Sequence, residues 1–438
     1  MQTSNDLAKF WTPIFNAFNP FQPIPREKLE AWFVERPKGP LEAILRYFGP
    51  GRGPERIIFA GHRSSGKSSE LTRLTMRLAE PDYGYFVVNL DLSRNVNNIN
   101  QVNQIEVLFL IGVAAYKLAQ DAGLSPDKSR FEALVKSLET IARTHTENDM
   151  YSIDTASLLR GLVCFGAGIA AGPVGAAIAA GVTEVFRDYI FVSGTDTNVV
   201  RKVEVEPQIR EMLKHVNAIL EDVAVKANKP LMLLVDGLEL VQDEDVADWL
   251  FVRNRFLADV AGRVLYTVPV FMYYQPQFAP VRQAFQTMPF PNVLLHHRDQ
   301  PHLKDEGGYT AMRQVVNRRL GSLGHRPEAI IAPGALDILI AASGGLMRDL
   351  IRLMRDAGVQ AEIAGQRRIE PETARSAVDA LRSEYEAQLK PPHQRVLDEV
   401  RKTKRLTEDA ECDVLLKGNF ILSYLNDRIW YDVHSILW

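Results

Sequence analysis

Residues 61–68 read GHRSSGKS, which matches the phosphate-binding pattern G-x-x-x-x-G-K-[ST] at every fixed position. The apolar run 56–60 comes directly before this stretch and predicts a buried strand. Leu71, Leu74 and Leu78 follow it at helical spacing. A strand, a glycine-rich loop and a helix in this order indicate a nucleotide-binding site.

The residue types in this loop match the chemistry of a bound phosphate chain. Gly61 and Gly66 let the backbone curl so that its N–H groups face a phosphate at the positive end of a helix. Lys67 is predicted to reach the β- and γ-phosphates, and the Ser68 hydroxyl to ligate Mg²⁺. The predicted nucleotide-contacting residues of the loop are Gly61, His62, Arg63, Ser64, Ser65, Gly66, Lys67, Ser68 and Ser69.

Composition places the chain among ordinary globular proteins. Its 438 residues suggest two or three domains, and it is 46% hydrophobic and 24% charged. A net charge of −3 gives no electrostatic case for broad nucleic-acid binding. Cys164 and Cys412 are isolated, which predicts neither a metal site nor a disulfide framework, and the N-terminus shows no secretory signal pattern. We therefore expect a cytoplasmic protein.

A second motif supplies acidic residues. Residues 231–236 read LMLLVD, an apolar run that predicts a strand buried on both faces and ends in Asp236. Asp236 is the candidate to hold Mg²⁺, through water or through Ser68. Glu239 follows closely and is the candidate to polarise an attacking water, with Asp243 or Glu244 as alternatives.

The central part of the chain continues the alternation of strands and helices. A strand is predicted at 85–90, and helices at 104–123, 131–142, 206–227 and 243–260. Residues 264–274 predict another strand, with a bulge or an edge at Pro269 and Gln275 just beyond its end. A last strand is predicted at 292–298.

From about residue 305 the pattern is helical. Within it, GGLMR at 344–348 opens a helix with Arg348 in the first turn, where a cation is unfavourable against the helix dipole. This position suggests that Arg348 contacts the γ-phosphate; an ion pair with Asp349 is the alternative. After residue 391, two helices and a hairpin around Asn426-Asp427 predict a winged-helix module, for which protein contact is favoured over DNA.

Residues 161–183 form a long apolar stretch without a charged side chain, rich in glycine and alanine. Its length allows a membrane span, whereas Pro173 and the glycines favour two short helices joined by a turn. A hairpin packed on protein, a segment that enters a membrane on activation and a constitutive span all stay open.

With these residues placed, the chain resembles a P-loop ATPase of the AAA+/STAND group. The resemblance rests on GHRSSGKS at 61–68, LMLLVDGLE at 231–239 and GGLMR at 344–348, followed by the winged helix. It implies an α/β fold with a three-layer P-loop core and parallel sheet, then an α-helical lid and a winged-helix domain. The predicted divisions are an N-terminal wrapping segment at 1–50, the core at 51–300 with an insert at about 125–200, the lid at 301–390 and the winged helix at 391–438.

The resemblance also implies site roles. Glu30 to Pro37 resembles the segment that lies beside the adenine in such ATPases, and Gln275 stands where a polar γ-phosphate sensor is usual. Arg282 and Arg298 are candidates for an arginine finger, although surface charges are the simpler interpretation. Most AAA+ proteins place the catalytic acid directly after the Walker B aspartate, where this chain has Gly237, so slow hydrolysis is expected.

The expected function is that of a switch that binds and slowly hydrolyses ATP with Mg²⁺. Catalysis is assigned to Lys67, Asp236, Glu239 and Arg348. Such ATPases change conformation or form homo-oligomers to control a protein partner or effector, and bacterial relatives often serve in phage defence. The alternatives are a DNA-binding initiator or loader that uses the winged helix, and a membrane-perturbing effector that acts through residues 161–183.

Overall fold

The computed structural model describes residues 2–37, 39–53, 55–96, 98–143 and 206–438. They divide into two compact units: the first is Met1–Glu42, Gly61–Arg73 and Pro289–Trp438, and the second is Ala43–Ala60 and Leu74–Met288. Most of the predicted insert, including the apolar stretch 161–183, lies outside the described residues. Among the residues that are described, no helix combines the length and apolar character that crossing a membrane requires.

A five-stranded sheet forms the centre of the α/β core. Its strands are β1 (Arg56–Gly61), β2 (Phe86–Asp91), β3 (Leu231–Asp236), β4 (Arg263–Val268) and β5 (Gln286–Phe290). The strand order is β2-β3-β4-β1-β5, and the pairs β2–β3, β3–β4 and β4–β1 are parallel. This sheet, together with the helices around it and the C-terminal hairpin described below, confirms the fold class predicted from the sequence.

The helices of the described residues are, in chain order, α1 (Gln2–Ala17), α2 (Leu29–Trp32), α3 (Leu41–Tyr47), α4 (Lys67–Ala79), α5 (Gln104–Asp121), α6 (Lys128–Arg143), α7 (Glu206–Ala227), α8 (Glu244–Phe251), α9 (Phe271–Tyr274), α10 (Glu306–Ser322), α11 (Pro327–Ile330), α12 (Pro333–Ala342), α13 (Met347–Ile363), α14 (Pro371–Glu386), α15 (Pro391–Thr403) and α16 (Ala410–Lys417).

The core of the second unit is built around α5. This helix starts with a capping box in which Asn103 and Glu106 satisfy each other's backbone N–H groups. Its side chains are buried on nearly all sides, as its apolar sequence predicts. Gly112 allows close approach of α6, because a Cβ there would lie 2.6 Å from Leu134.

The first unit has its own core, formed by α1 and the helices of the lid. Trp11 of α1 is buried, and its indole N–H donates to the Gln366 carbonyl at 3.0 Å. A Cβ at Gly358 of α13 would lie 3.3 Å from the Trp11 ring, so glycine permits this contact. Burial of an aromatic residue of this size stabilises the packing of α1 on α13.

The C-terminal module consists of α15, α16 and an antiparallel hairpin of β6 (Ile421–Leu425) and β7 (Ile429–Val433). Leu425 pairs with Ile429, which places the turn at residues 426–428. Leu422, Tyr424 and Trp430 of the hairpin form a buried cluster with Leu346. The hairpin therefore belongs to the first unit.

Two predicted elements differ in extent. The strand predicted at 264–274 ends at Val268, because Pro269 has no N–H with which to continue the ladder. The helix predicted at 243–260 ends at Phe251, where the Gln104 side chain donates to the carbonyls of Trp249 and Leu250 at 2.6 and 3.0 Å.

The strand predicted at 292–298 is wrong, and the last strand of the sheet is β5 instead. The backbone N–H groups of Asn292 and Val293 donate to the carbonyls of Ser423 and Gly345 at 3.0 and 3.2 Å. These bonds connect the segment to the C-terminal hairpin and to the glycine turn before α13. The strand pattern in the sequence thus reflected burial alone.

Candidate nucleotide-binding site

The predicted phosphate loop connects β1 to α4, as the motif requires. Ser64 and Gly66 adopt left-handed backbone conformations, with φ of 74° and 99°. A Cβ at Gly61 would lie 2.7 Å from the Phe290 carbonyl oxygen, so only glycine fits there. The first turn of α4 starts at Lys67, which places the positive end of a helix at the loop.

Each carbonyl oxygen from residue 61 to 65 accepts a hydrogen bond within the first unit. Lys67 is 3% exposed, and its Nζ donates to Gly61 O at 2.9 Å and to His62 O at 2.7 Å. Arg63 O accepts from the Asn419 side chain at 3.2 Å, Ser64 O accepts from the Arg348 backbone N–H at 3.2 Å, and Ser65 O accepts from Arg36. The shape of the loop is therefore fixed by residues from distant parts of the chain.

These bonds matter for anion binding because a trans peptide plane holds each C=O opposite to the next N–H. The partners of Arg63 O and Ser65 O thus direct the N–H groups of Ser64 and Gly66 to the other side of the loop. Successive backbone N–H groups that point to one side of a loop can bind an anion.

His62 is fully buried, and its imidazole ring takes part in two hydrogen bonds. Its Nε2 accepts from the Ser423 backbone N–H at 3.0 Å, and its Nδ1 lies 3.2 Å from Asn419 Oδ1. Burial, and secondarily the charge of Lys67, lowers the pKa of His62 to about 3. His62 is therefore neutral at physiological pH.

Arg36 is a loop partner that the sequence interpretation did not single out. Its Nη1 donates to Pro291 O at 3.3 Å, its Nη2 donates to Ser65 O, and its guanidinium stacks on the Phe290 ring at 4.1 Å. Burial lowers the pKa of Arg36 to about 10, partly offset by the charge of Glu70. The segment that contains Arg36 had been predicted to lie beside the nucleotide, but nothing local distinguished this arginine.

A cleft with a volume of about 40 Å³ lies beside Arg36 within the first unit. Its wall includes Pro37, Pro40, Phe290 and Val293, which are apolar, and its volume is well below that of small-molecule sites. The segment 30–37 expected beside an adenine thus contributes to this wall.

Arg348 lies at the start of α13, and the glycines before it explain how this helix reaches the loop. Gly344 and Gly345 have φ of 58° and 79°, and a Cβ at Gly345 would overlap the Val293 carbonyl. Asp349 does not need Arg348 as its partner, because its Oδ2 accepts from Tyr385 Oη at 2.8 Å and lies 3.1 Å from His434 Nε2. The role of Arg348 at the γ-phosphate stays a prediction; its backbone N–H donates to Ser64 O at 3.2 Å.

The second unit holds the acidic residues. Asp236 ends β3, and its Oδ1 accepts from the Gly237 N–H at 3.0 Å. Glu239 Oε2 accepts from the same N–H at 3.0 Å and from the Thr267 hydroxyl at 2.6 Å. Thr267 is fully buried near the end of β4 and was not singled out from the sequence.

Gly237 is required at its position, because its φ is 98° and a Cβ there would lie 2.8 Å from the Ser93 backbone nitrogen. This geometry explains why the chain has glycine where most AAA+ proteins place an acid. The carboxylate two residues later folds back onto the same backbone N–H.

The other residues predicted to contact the nucleotide or to act as an arginine finger have other partners in the chain. Gln275 follows α9 rather than the end of a strand, and its Nε2 donates to Glu244 Oε1 at 3.3 Å. Ser69 Oγ accepts from the Ile24 N–H at 3.3 Å. Arg282 donates to the Tyr273 carbonyl at 3.0 Å, and Arg298 lies 3.9 Å from Asp299.

Ser68 of the first unit has a hydroxyl oxygen and Asp236 of the second unit has carboxylate oxygens, and each is a hard ligand of the kind that Mg²⁺ takes. In the described part of the chain, three or more histidine, cysteine or acidic side chains do not cluster as a metal site.

No protein-family model matches the sequence, and no curated protein matches it. Solved structures to which this chain shows a likeness include the Orc1 protein of Aeropyrum pernix in complex with DNA, at 12% identity and a TM-score of 0.39 over 98% of this chain and 94% of that chain. For the Orc2 protein of Aeropyrum pernix, in ADPNP and ADP complexes, the identity is 13% and the TM-score is 0.38. The match covers 96% of this chain and 94% of that chain. For the RuvB Holliday junction branch migration motor of Thermotoga maritima, the identity is 13% and the TM-score is 0.26. The match covers 50% of this chain and 80% of that chain. These likenesses are too distant to assign a function.

Proposed function

We propose that this chain is an ATPase whose phosphate loop binds ATP with Mg²⁺ and whose C-terminal module responds to the bound nucleotide. The observation that carries the proposal is the hydrogen bonding of the loop carbonyls from Gly61 to Ser65, which holds the N–H groups of Ser64 and Gly66 on the opposite side of their peptide planes. Lys67 adds a buried cation to the same loop.

Each of the predicted site residues would have a distinct role in binding and hydrolysing ATP. Lys67 exchanges a carbonyl partner for β- and γ-phosphate oxygens, and the N–H groups at the start of α4 hold the phosphate chain. Ser68 and Asp236 would hold Mg²⁺, which neutralises phosphate charge when bound. Glu239 accepts a proton from the attacking water, and Arg348 contacts the γ-phosphate from the start of α13.

The same loop offers a route from nucleotide to conformation. Its carbonyls bond to Asn419 of the C-terminal module and to the backbone of Arg348 in the lid. A phosphate that takes Lys67 away from Gly61 and His62 changes the loop to which both elements are bonded. We infer that ATP alters the position of lid and C-terminal module and thereby controls a protein partner, with slow hydrolysis as the reset.

The test is mass photometry and phosphate release for the full chain without nucleotide, with ADP, and with ATP or a non-hydrolysable analogue plus Mg²⁺. The proposal expects slow phosphate release and a discrete change in assembled mass with the triphosphate only. Identical behaviour in all three states, together with no phosphate release, would overturn it.

A DNA-binding role for the C-terminal module is the second candidate. Arg401, Lys402 and Arg405 are exposed at the end of α15, whereas Lys404 is held by Asp432 at 2.6 Å. Phosphate contacts by three cations would make duplex binding strongly salt-dependent. No binding at low salt would exclude this role.

A further inference from the structure

Asn419 connects the C-terminal module to the phosphate loop, although it lies far from the loop in sequence. It follows α16 in a left-handed conformation with φ of 64°. Its Oδ1 lies 3.2 Å from His62 Nδ1, and its Nδ2 donates to Arg63 O at 3.2 Å. One amide thus binds two consecutive residues of the loop.

The direction of every bond in this group follows from one backbone contact. The Ser423 N–H donates to His62 Nε2, so this nitrogen carries no proton. The proton of the neutral ring is then on Nδ1, which donates to Asn419 Oδ1. The Asn419 amide nitrogen is left for Arg63 O, where it is the donor that the carbonyl needs.

We propose that Asn419 is a positioning residue for the phosphate loop, so that affinity for a nucleoside triphosphate depends on the C-terminal module. The inference rests on the proposed function. Its physical basis is the peptide plane, because an Arg63 carbonyl held by Asn419 keeps the Ser64 N–H on the opposite side of the loop. Without that bond the peptide between Arg63 and Ser64 is free to turn its oxygen toward the bound phosphate.

Two variants separate this role from folding. Asn419→Gly removes the side chain without strain, because glycine accepts a φ of 64°. Asn419→Asp keeps the size, the tolerance of left-handed backbone and an acceptor for His62, but it places a carboxylate oxygen beside Arg63 O. Asn426→Ala is the matched control, since Asn426 lies in the hairpin turn of the same module.

The measurement is the equilibrium dissociation constant of a non-hydrolysable ATP analogue with Mg²⁺, beside the thermal unfolding temperature without nucleotide. Loss of one hydrogen bond to the loop predicts about tenfold weaker binding for Asn419→Gly. Asn419→Asp should bind at least as weakly, and Asn426→Ala should bind like the unmodified chain. If Asn419→Gly does not fold, the dissociation constant of Asn419→Asp is the test of the inference.

Binding by the Asn419 variants that equals or exceeds that of the unmodified chain would overturn the inference while leaving the proposed function intact. Failure of the unmodified chain to bind the analogue would overturn the proposed function itself. The two failures are therefore distinguishable in one experiment.

Discussion

The hydroxyl of Thr267 donates a 2.6 Å hydrogen bond to Oε2 of Glu239, the acidic residue assigned to the attacking water. The Gly237 N–H donates to the same oxygen at 3.0 Å. Both bonds fix one carboxylate oxygen and orient the other. This pairing between β4 and the turn after β3 gives the proposed general base a defined geometry.

Replacing Thr267 with Val is therefore expected to lower kcat about tenfold, because one hydrogen bond that orients the carboxylate is lost. Affinity for ATP should stay the same, since Thr267 belongs to the second unit and not to the phosphate loop. Steady-state kinetics separate the two parameters. Thr267→Ser keeps the hydroxyl and should restore turnover; an equal loss in both variants would contradict the orienting role.

Glu239→Gln is expected to leave ATP bound but unhydrolysed, because an amide cannot accept the proton from water. Loss of a general base typically costs about 10²- to 10⁴-fold in turnover. Single-turnover hydrolysis measures this loss. Unchanged turnover would move the base to another acid, with Asp243 and Glu244 as the candidates.

Both alternative acids already accept hydrogen bonds in this structure. Asp243 caps α8 through the N–H groups of Asp245 and Val246 at 2.9 and 3.3 Å, and Glu244 accepts from Gln275. Asp243→Asn and Glu244→Gln therefore serve as controls that should retain turnover.

Arg348→Ala is expected to reduce the preference for ATP over ADP. The backbone bond from residue 348 to Ser64 O survives the change, so the loop keeps its shape, while the cation for the γ-phosphate is lost. Competition binding of the two nucleotides measures the ratio. An unchanged ratio would assign Arg348 a structural role only.

Burial of His62 predicts a pH dependence of stability with a definite sign. Its pKa is about 3 in the folded chain and about 6.5 in the unfolded chain, so below pH 6.5 the unfolded state binds a proton that the folded state does not. The contribution of His62 to the free energy of unfolding is largest above pH 6.5. It decreases as the pH falls toward 3, by at most about 1.4 kcal/mol per pH unit. The free energy of unfolding, measured with denaturant at several values between pH 4 and 7, should depend more steeply on pH in the unmodified chain than in His62→Gln. An equal dependence on pH in the two chains would contradict a buried neutral ring.

Much of this molecule is predictable because its signals are local. The loop at 61–68, the strand 231–236 and the hairpin around Asn426 follow from patterns that span a few residues each. The contacts that shape the site are not local. Asn419 and His62, which form a hydrogen bond, are 357 positions apart in the sequence. Arg36 and Ser65, which form another, are 29 positions apart.

Thr267 illustrates the same limit within the sheet. It reads as an ordinary buried strand residue, and only the pairing of β3 with β4 shows that its hydroxyl faces Glu239. Gln275 was the expected polar residue because the strand was predicted to continue past Pro269. The missing N–H of that proline ends the strand earlier, near Thr267.

The central claim is that the loop at 61–68 binds ATP through Lys67. The direct measurement is equilibrium titration of the full chain and of Lys67→Ala with a non-hydrolysable ATP analogue and Mg²⁺, with Lys229→Ala, an exposed lysine, as control. We predict one site per chain, binding at least about tenfold weaker in Lys67→Ala because a charged contact is lost, and unchanged binding in Lys229→Ala. Equal affinity of Lys67→Ala and the unmodified chain, or no binding by either, would contradict the account.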